Sequence, residues 1–292
     1  MSTVAVLIVL VSSVIHATWN FLAKKSGDKL TFFWLVMILQ TLLYLPFTVF
    51  FLCKTSIPLY GWYAIFASGV VHAFYWYFLS KAYTYEDLSL VYPIARSAPA
   101  LVPILAFLFL NERLNLFGVL GIIIVLIGVY AISLNSFNLR KFFRPFYDRR
   151  NKGIIFAFLT LFTVSMYSLI DKVGAKYVNP ILYVYFFAIV SFIILSPIIL
   201  LSERRFMIKS ELKNKKTGII LVSIMIILSY SLIIFVMRVF PVSYIVSVRQ
   251  AGIVFSVILG TFLLKEKYGK VRLTASILIF IGIFIITVFG KM

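Results

Sequence analysis

The sequence predicts an all-α integral membrane fold: ten transmembrane helices arranged as two inverted five-helix repeats. Three observations carry that prediction. Of 292 residues, 63% are hydrophobic and only 13% charged, with a mean hydropathy of +1.07. A soluble domain lies nearer half apolar, so the excess makes lipid the solvent. The apolar residues fall into ten runs, each close to the roughly 20 residues that cross a bilayer as a helix. Features of the first five runs recur in the last five at a nearly constant offset.

The first run, 3–23, contains no Lys or Arg, so it lacks the basic segment of a cleaved secretory signal and reads as a retained span. Runs 31–52, 60–80, 88–110 and 115–134 complete the first half; 153–173, 180–201, 217–238, 243–264 and 271–289 make the second. The two long connections, Asn135–Lys152 and Ser202–Lys216, are rich in Lys and Arg. The chain therefore divides into a first repeat at 1–134, a basic connecting loop at 135–152 and a second repeat at 153–292, with no length left for a folded extramembrane domain. The single cysteine, Cys53, can form no internal disulfide and supports no metal cluster. No metal and no cofactor is expected.

Trp19-Asn20-Phe21-Leu22-Ala23-Lys24-Lys25-Ser26-Gly27 reads against Met166-Tyr167-Ser168-Leu169-Ile170-Asp171-Lys172-Val173-Gly174, and Ser89, Glu112 and Gly128 stand 154 positions before Ser243, Glu266 and Gly282. Five spans per half is an odd number, so the second half enters the membrane in the opposite sense, which places a site near the midplane between the halves. The net charge of +19 comes from 28 Lys and Arg against 9 Asp and Glu. Such a charge suits nucleic acid, but these residues sit in short connections between apolar runs, which is how membrane orientation is specified; no nucleic-acid partner is expected. The odd-numbered connections hold 20 Lys and Arg and the even ones with the tail hold six, so the charge rule places both termini outside the cytoplasm.

The fourth run, extended as Leu88–Glu112, carries Arg96 near its middle together with Pro93, Pro99 and Pro103. A guanidinium at that depth must face protein, water or a ligand rather than lipid. Proline frees a backbone carbonyl, which membrane helices tolerate where the carbonyl lines a cavity. The ninth run, Ser243–Glu266, carries Arg249 in the matching place, followed by Gln250 and Gly252. These two stretches read as facing helices around one site, with Arg96 and Arg249 gripping an anionic group through their planar forks. Pro93, Pro99, Pro103 and Gly252 read as hinges or cavity openers.

His16 and His72 are the groups in the spans that titrate near neutral pH and so are candidates for proton coupling, with His72 also a candidate substrate contact. Tyr75 and Trp76, in the aromatic run around His72, could wall a pocket. Trp19, Tyr92, Ser97, Tyr167, Tyr230 and Gln250 are expected polar or aromatic liners, because they fall in the matching central spans. Glu112 and Glu266 end their spans and are expected to pair with Arg113 and with Lys265 or Lys267. Asp171 is placed near the exit of the sixth span, and Asp28, Glu86, Asp87, Asp148, Glu203 and Glu211 in connections. No acid is thus expected at mid-membrane, and no buried carboxylate relay.

The five-span halves, the start Ala17, Trp19, Asn20, Lys24, the fourth-span ending Leu110-Asn111-Glu112-Arg113 and the ninth-span ending Leu264-Lys265-Glu266 together resemble the drug/metabolite transporter superfamily, specifically its ten-helix permeases built from two EamA-type domains. The resemblance covers 3–133 and 153–289 and implies a permease rather than an enzyme, with both termini in the cytoplasm, against the charge count. The plastid phosphate translocators of the same superfamily resemble this chain in gripping phosphate with basic residues on the fourth and ninth spans; Arg249-Gln250 stands where two adjacent basic residues would be, so carboxylate is as good a fit as phosphate.

The expected function is secondary active or exchange transport, by alternating access, of a small polar metabolite, anionic or zwitterionic, such as an amino acid or organic acid. The alternative carrier reading is a flippase for a lipid-linked anionic sugar. A membrane-embedded enzyme is disfavoured by the absence of HExxH, a nucleophile motif or paired acids at membrane depth. The partners expected are the small-molecule substrate and the lipid bilayer, the chain acting as a monomer or homodimer. The expected location is a prokaryotic plasma membrane, in multi-pass form.

Overall fold

The computed structural model describes residues 1–24, 26–85, 94–132, 152–255 and 269–289. They form helices α1 (Thr3–Lys24), α2 (Lys29–Leu52), α3 (Leu59–Tyr85), α4 (Ala98–Leu110), α5 (Leu116–Ile132), α6 (Lys152–Gly174), α7 (Pro180–Leu200), α8 (Met207–Met237), α9 (Val242–Val248) and α10 (Gly269–Phe289), with a 3₁₀ turn at Glu203–Phe206. Among the described residues, five stretches are long and apolar enough to cross a membrane: Thr3–Asn20, Lys29–Leu52, Lys152–Gly174, Pro180–Leu200 and Glu203–Met237. The helix α3 has the length but is not among them.

Local sequence sets the ends. Asp28 caps α2 by accepting from the Thr31 amide at 2.8 Å, and Asn179 caps α7 by accepting from Ile181 at 3.0 Å, with Pro180 opening the helix. Asn111, at φ 52°, ends α4 in the left-handed region that asparagine tolerates. The expected connection Ser202–Lys216 is instead mostly helical, because α8 starts ten residues before 217 and carries a non-helical residue at Lys215. Glu211, expected in that connection, is buried on this extension, where its Oε1 accepts from the amides of Gly27 at 2.7 Å and Asp28 at 2.9 Å.

Around an apolar core, the bundle exposes many large apolar side chains and encloses a set of polar ones. Leu7, Leu42, Phe47, Phe107, Phe109, Ile127 and Phe162 are exposed, while Ser12, Gln40, Ser68, His72, Thr160 and Ser191 are buried. Lipid on the outside and polar groups satisfied within give that distribution. Hydroxyls stitch helix to helix: Ser12 to the Ser229 carbonyl at 2.7 Å, Ser191 to Gly69 at 2.7 Å and Ser223 to Val36 at 3.1 Å.

The packing respects the repeat. Exchanging the halves (α1 for α6, α2 for α7 and so on) turns α3–α6 into α8–α1 and α3–α7 into α8–α2, and returns α2–α7, α4–α9 and α5–α10 to themselves. All seven pairs are in contact. At the α5–α10 crossing the two backbones touch: a Cβ on Gly282 would lie 2.7 Å from the Gly121 carbonyl oxygen, and one on Gly121 2.8 Å from that of Gly282. Small residues permit such contact where no hydrophobic force drives helices together.

The connecting loop 135–152, apart from Lys152, lies outside the described residues, as do Glu86, Asp87, Ser89, Tyr92, Pro93, Asp148, Lys265, Glu266 and Lys267.

Candidate functional site

Both arginine-bearing spans are interrupted at the arginine. Residues 94–96 are helical, Ser97 is not, and α4 begins at Ala98 with Pro99 in its first turn and Pro103 within it. In the second half α9 ends at Val248, Arg249 and Gln250 form a turn, and helix resumes over 251–255. Discontinuous helices of this kind leave backbone groups and side chains turned toward a cavity. Gly252 lets the resumed helix approach α1, since a Cβ there would lie 3.0 Å from the Ser13 carbonyl oxygen.

Two cavities lie beside these breaks. The first, of about 50 Å³, has room for a few water molecules. Of the residues singled out from the sequence, His16, Trp19, His72, Tyr75, Trp76 and Tyr230 line it, and Gln40 and Phe33 of α2 join them. The second, of about 40 Å³, is lined by Arg96, Gln250 and Asn20 among others. Tyr75, Tyr167 and Arg249 line both and so stand between them. Ser97 marks the break but lines neither cavity.

The centre of the arrangement is His16. The Arg96 Nη2 lies 2.6 Å from His16 Nε2, and the Arg249 Nη2 lies 3.3 Å from Nδ1. Arginine only donates; a neutral imidazole accepts at one nitrogen, and a protonated one accepts at none. Imidazole therefore cannot satisfy both guanidinium groups in either state. The shorter contact is the one that accepts, which leaves an N–H at Nδ1 facing a second donor. Three further buried groups add to the imbalance among the described residues: Trp19 Nε1 and Arg249 Nε have no acceptor, and Gln40 Oε1 in the first cavity has no donor.

Aromatic packing holds the walls. Phe33 lies 4.2 Å from Trp76 and 5.9 Å from Trp19, centroid to centroid. His72 is stacked between Tyr167 at 4.0 Å and Phe187 at 4.2 Å, and its Nδ1 lies 2.9 Å from the Ser68 carbonyl oxygen. That carbonyl can only accept, so Nδ1 carries the proton. The Arg249 guanidinium sits 5.0 Å over the Tyr230 ring.

Two acidic residues depart from expectation. Asp171 lies one turn before the end of α6, as expected, but it is wholly buried: its Oδ1 accepts from Ser68 Oγ at 2.5 Å and Tyr183 Oη at 2.9 Å, and its Oδ2 from Tyr230 Oη. Glu112 does not pair with Arg113. It accepts from the Val242 amide at 2.9 Å and from Ser243 Oγ at 3.0 Å, capping the start of α9. Sequence reasoning missed Gln40, although a lone amide in the apolar run 31–52 is itself a signal, since burying it costs free energy without a partner. It missed Asp171 because the three hydroxyls come from three other helices.

An all-helical bundle with an apolar exterior, polar groups buried within its core and two broken helices meeting at a cavity is a multi-pass membrane protein of the transporter class. The model of the EamA-like transporter family matches residues 3–134 and again 151–288. The chain belongs to that family, and it is a membrane transporter of small molecules. No curated protein sequence matches it. A protein known from a crystal structure has the same fold: it superposes with a TM-score of 0.77 at 15% identity, over 100% of this chain and 99% of that one.

Proposed function

We propose that the chain is a secondary transporter that carries a small polar metabolite bearing a carboxylate or a similar anionic group, such as an amino acid or organic acid, by alternating access about the cavities at the helix breaks. The observation that carries this reading is the excess of donors around His16. Trp19 and Arg249 line the first cavity beside His16 with the indole N–H and the Arg249 Nε lacking an acceptor among the described residues, and the imidazole that Arg249 and Arg96 both approach supplies at most one acceptor. A carboxylate entering there accepts from both guanidinium forks and the indole, and releases His16 from a contact it cannot satisfy. Gln40 Oε1 offers an acceptor in the same cavity for an ammonium or hydroxyl of the same molecule. A cavity this small with aromatic walls admits such a molecule only if Tyr75 and Tyr167, which stand between the two cavities, move apart.

The test is a thermal-shift screen of the detergent-purified protein against amino acids, organic acids and phosphorylated metabolites, with Arg96→Ala and Arg249→Ala alongside. A ligand that binds the folded form raises its apparent stability. Stabilisation by one class of anion, lost in both variants, is the expected result. Stabilisation by cations or lipids only, or hits that both variants retain, would make the arginines structural and overturn the assignment.

A further inference from the structure

The anion reading leaves one buried charge unused. Asp171 is fully enclosed, accepts three hydroxyl hydrogen bonds, and has no cation within salt-bridge distance among the described residues. One of its three partners, Tyr230, also lines the cavity and carries the Arg249 guanidinium over its ring. We propose that Asp171 is a proton-binding site, connected to the cavity through the Tyr230 hydroxyl, and that its loading is coupled to loading of the anion site; the coupling, but not the proton site, rests on the function proposed above.

The surroundings favour Asp171 over the two histidines. On α3, His72 is clamped between two rings with Nδ1 committed to Ser68, and Ser68 Oγ donates to Asp171. On α7, Tyr183 donates to the same oxygen, Oδ1. On α8, Tyr230 alone serves Oδ2. On α6 itself, Lys172 follows in sequence, but its ammonium donates to the Met237 and Phe240 carbonyls at 2.6 and 2.7 Å. Tyr167 stacks on His72, and Arg249 of the broken ninth span faces the cluster across the Tyr230 ring. On α1, His16 is occupied by the two arginines.

The asymmetry between the oxygens gives the path. Oδ1 takes two donors and Oδ2 one, so Oδ2 has the free lone pair and a phenol already aligned on it. Proton uptake is one relay step. Tyr230 passes its hydroxyl proton to Oδ2 and receives a proton from a hydronium ion that has entered the cavity from bulk water. One O–H bond on Tyr230 breaks and is remade, one forms on Asp171, a neutral water is left, and the carboxylate charge is discharged. Asp171 then donates to Tyr230, whose own hydroxyl proton turns toward the cavity. Arg249 now faces one negative charge fewer, so an anion binds it more tightly. By linkage the anion favours the protonated acid by the same factor. Proton and anion load together.

The proton site is tested without any substrate, by infrared pH titration of the protein reconstituted in lipid. The wild type is expected to show the carbonyl band of a protonated carboxyl group growing in as the pH falls, Asp171→Asn to lack that band, and Tyr230→Phe to displace its midpoint. A spectrum unchanged by Asp171→Asn would overturn the site. Should Asp171→Asn fail to fold, Ser68→Ala and Tyr183→Phe each remove one donor and must move the midpoint; no movement in either overturns it equally. Coupling is tested in proteoliposomes enclosing a pH-sensitive dye, with L-aspartate, succinate or inorganic phosphate added outside. Acidification of the interior by wild type and not by Asp171→Asn supports the coupling, and equal acidification overturns it. If none of the anions acts on the wild type, the coupling falls together with the anion reading, while the infrared band still decides the proton site.

Discussion

Lys172 and Arg238 each hold the end of the other's helix. The Lys172 ammonium, on α6, donates to the Met237 carbonyl at the end of α8 and to the Phe240 carbonyl just past it. The Arg238 guanidinium, just past α8, donates through Nε to Ala175 at 2.9 Å and through Nη2 to Val178 at 2.7 Å, just past α6. Helix C-termini expose unpaired carbonyls and a partial negative charge, and a cation answers both.

This clasp is expected to be structural. Arg238→Ala removes two charge-assisted hydrogen bonds and should cost about 1.5–3 kcal/mol, read as a lower melting temperature with the ligand-induced shift retained. Arg238→Lys should recover only part of the loss, because a single ammonium lacks the fork that spans two carbonyls. An Arg238→Ala protein as stable as wild type would show that water serves these carbonyls equally well.

The bare backbone contact at the α5–α10 crossing makes a different prediction. Gly282→Ala puts a methyl group 2.7 Å from the Gly121 carbonyl oxygen, and backbone cannot swing aside as a side chain can. Overpacking of this kind costs about 1–3 kcal/mol. Size-exclusion profiles and melting curves should show a weaker fold for Gly282→Ala and aggregation for Gly282→Leu, whereas Ala131→Gly, in the partner helix α5, should be comparatively mild.

Trp19→Phe separates packing from recognition. Phenylalanine keeps an aromatic ring near Phe33 and His16 but removes the buried N–H that has no acceptor. Losing an unsatisfied donor should leave the empty protein as stable as wild type or slightly more so. If a carboxylate accepts from that N–H, affinity for the anion should fall about tenfold, one hydrogen bond to a charged group being about 1.5 kcal/mol or more. Titration calorimetry of the anion found by the screen reads the difference.

Glu112→Gln keeps the shape of the cap on α9 and removes its charge. The expected loss is about 0.5–2 kcal/mol, the range of an N-cap, and Ser243→Ala, which removes one of the donors to Glu112, should lose less. A melting curve unaltered in both would show that the start of α9 is held by its packing alone.

What could be read in the sequence follows the physics of each residue. Arg96 and Arg249 announced themselves, since a guanidinium in an apolar run has few tolerable explanations, and both reach the cavities. The offset of 154 residues between halves was visible in Glu112 and Gly128 against Glu266 and Gly282, and the exchange symmetry of the helix contacts follows it. The position of Asp171 near the end of its span was legible, but its burial was not, because place along a run says nothing about which residues enclose it. Ser68, Tyr183 and Tyr230 lie 103, 12 and 59 residues away from it, and only the folded bundle brings them together. The role of Glu112 was missed for a similar reason: its true partners, Val242 and Ser243, are 130 and 131 residues further on, while Arg113 is adjacent. Nearness along the chain suggests ion pairs, but a helix end offering free amides competes better than a solvated arginine.

The outward rows of Phe47, Phe107, Phe109 and Phe162 carry a practical consequence. A surface of that kind is finished only by hydrocarbon, so every melting curve of this protein reports on a complex of chain and amphiphile. Shorter-tailed detergents leave part of the apolar girdle wet and lower the transition without touching any contact described here. Differences between variants are therefore to be taken in one amphiphile at one ratio to protein, and the absolute figure belongs to the pair.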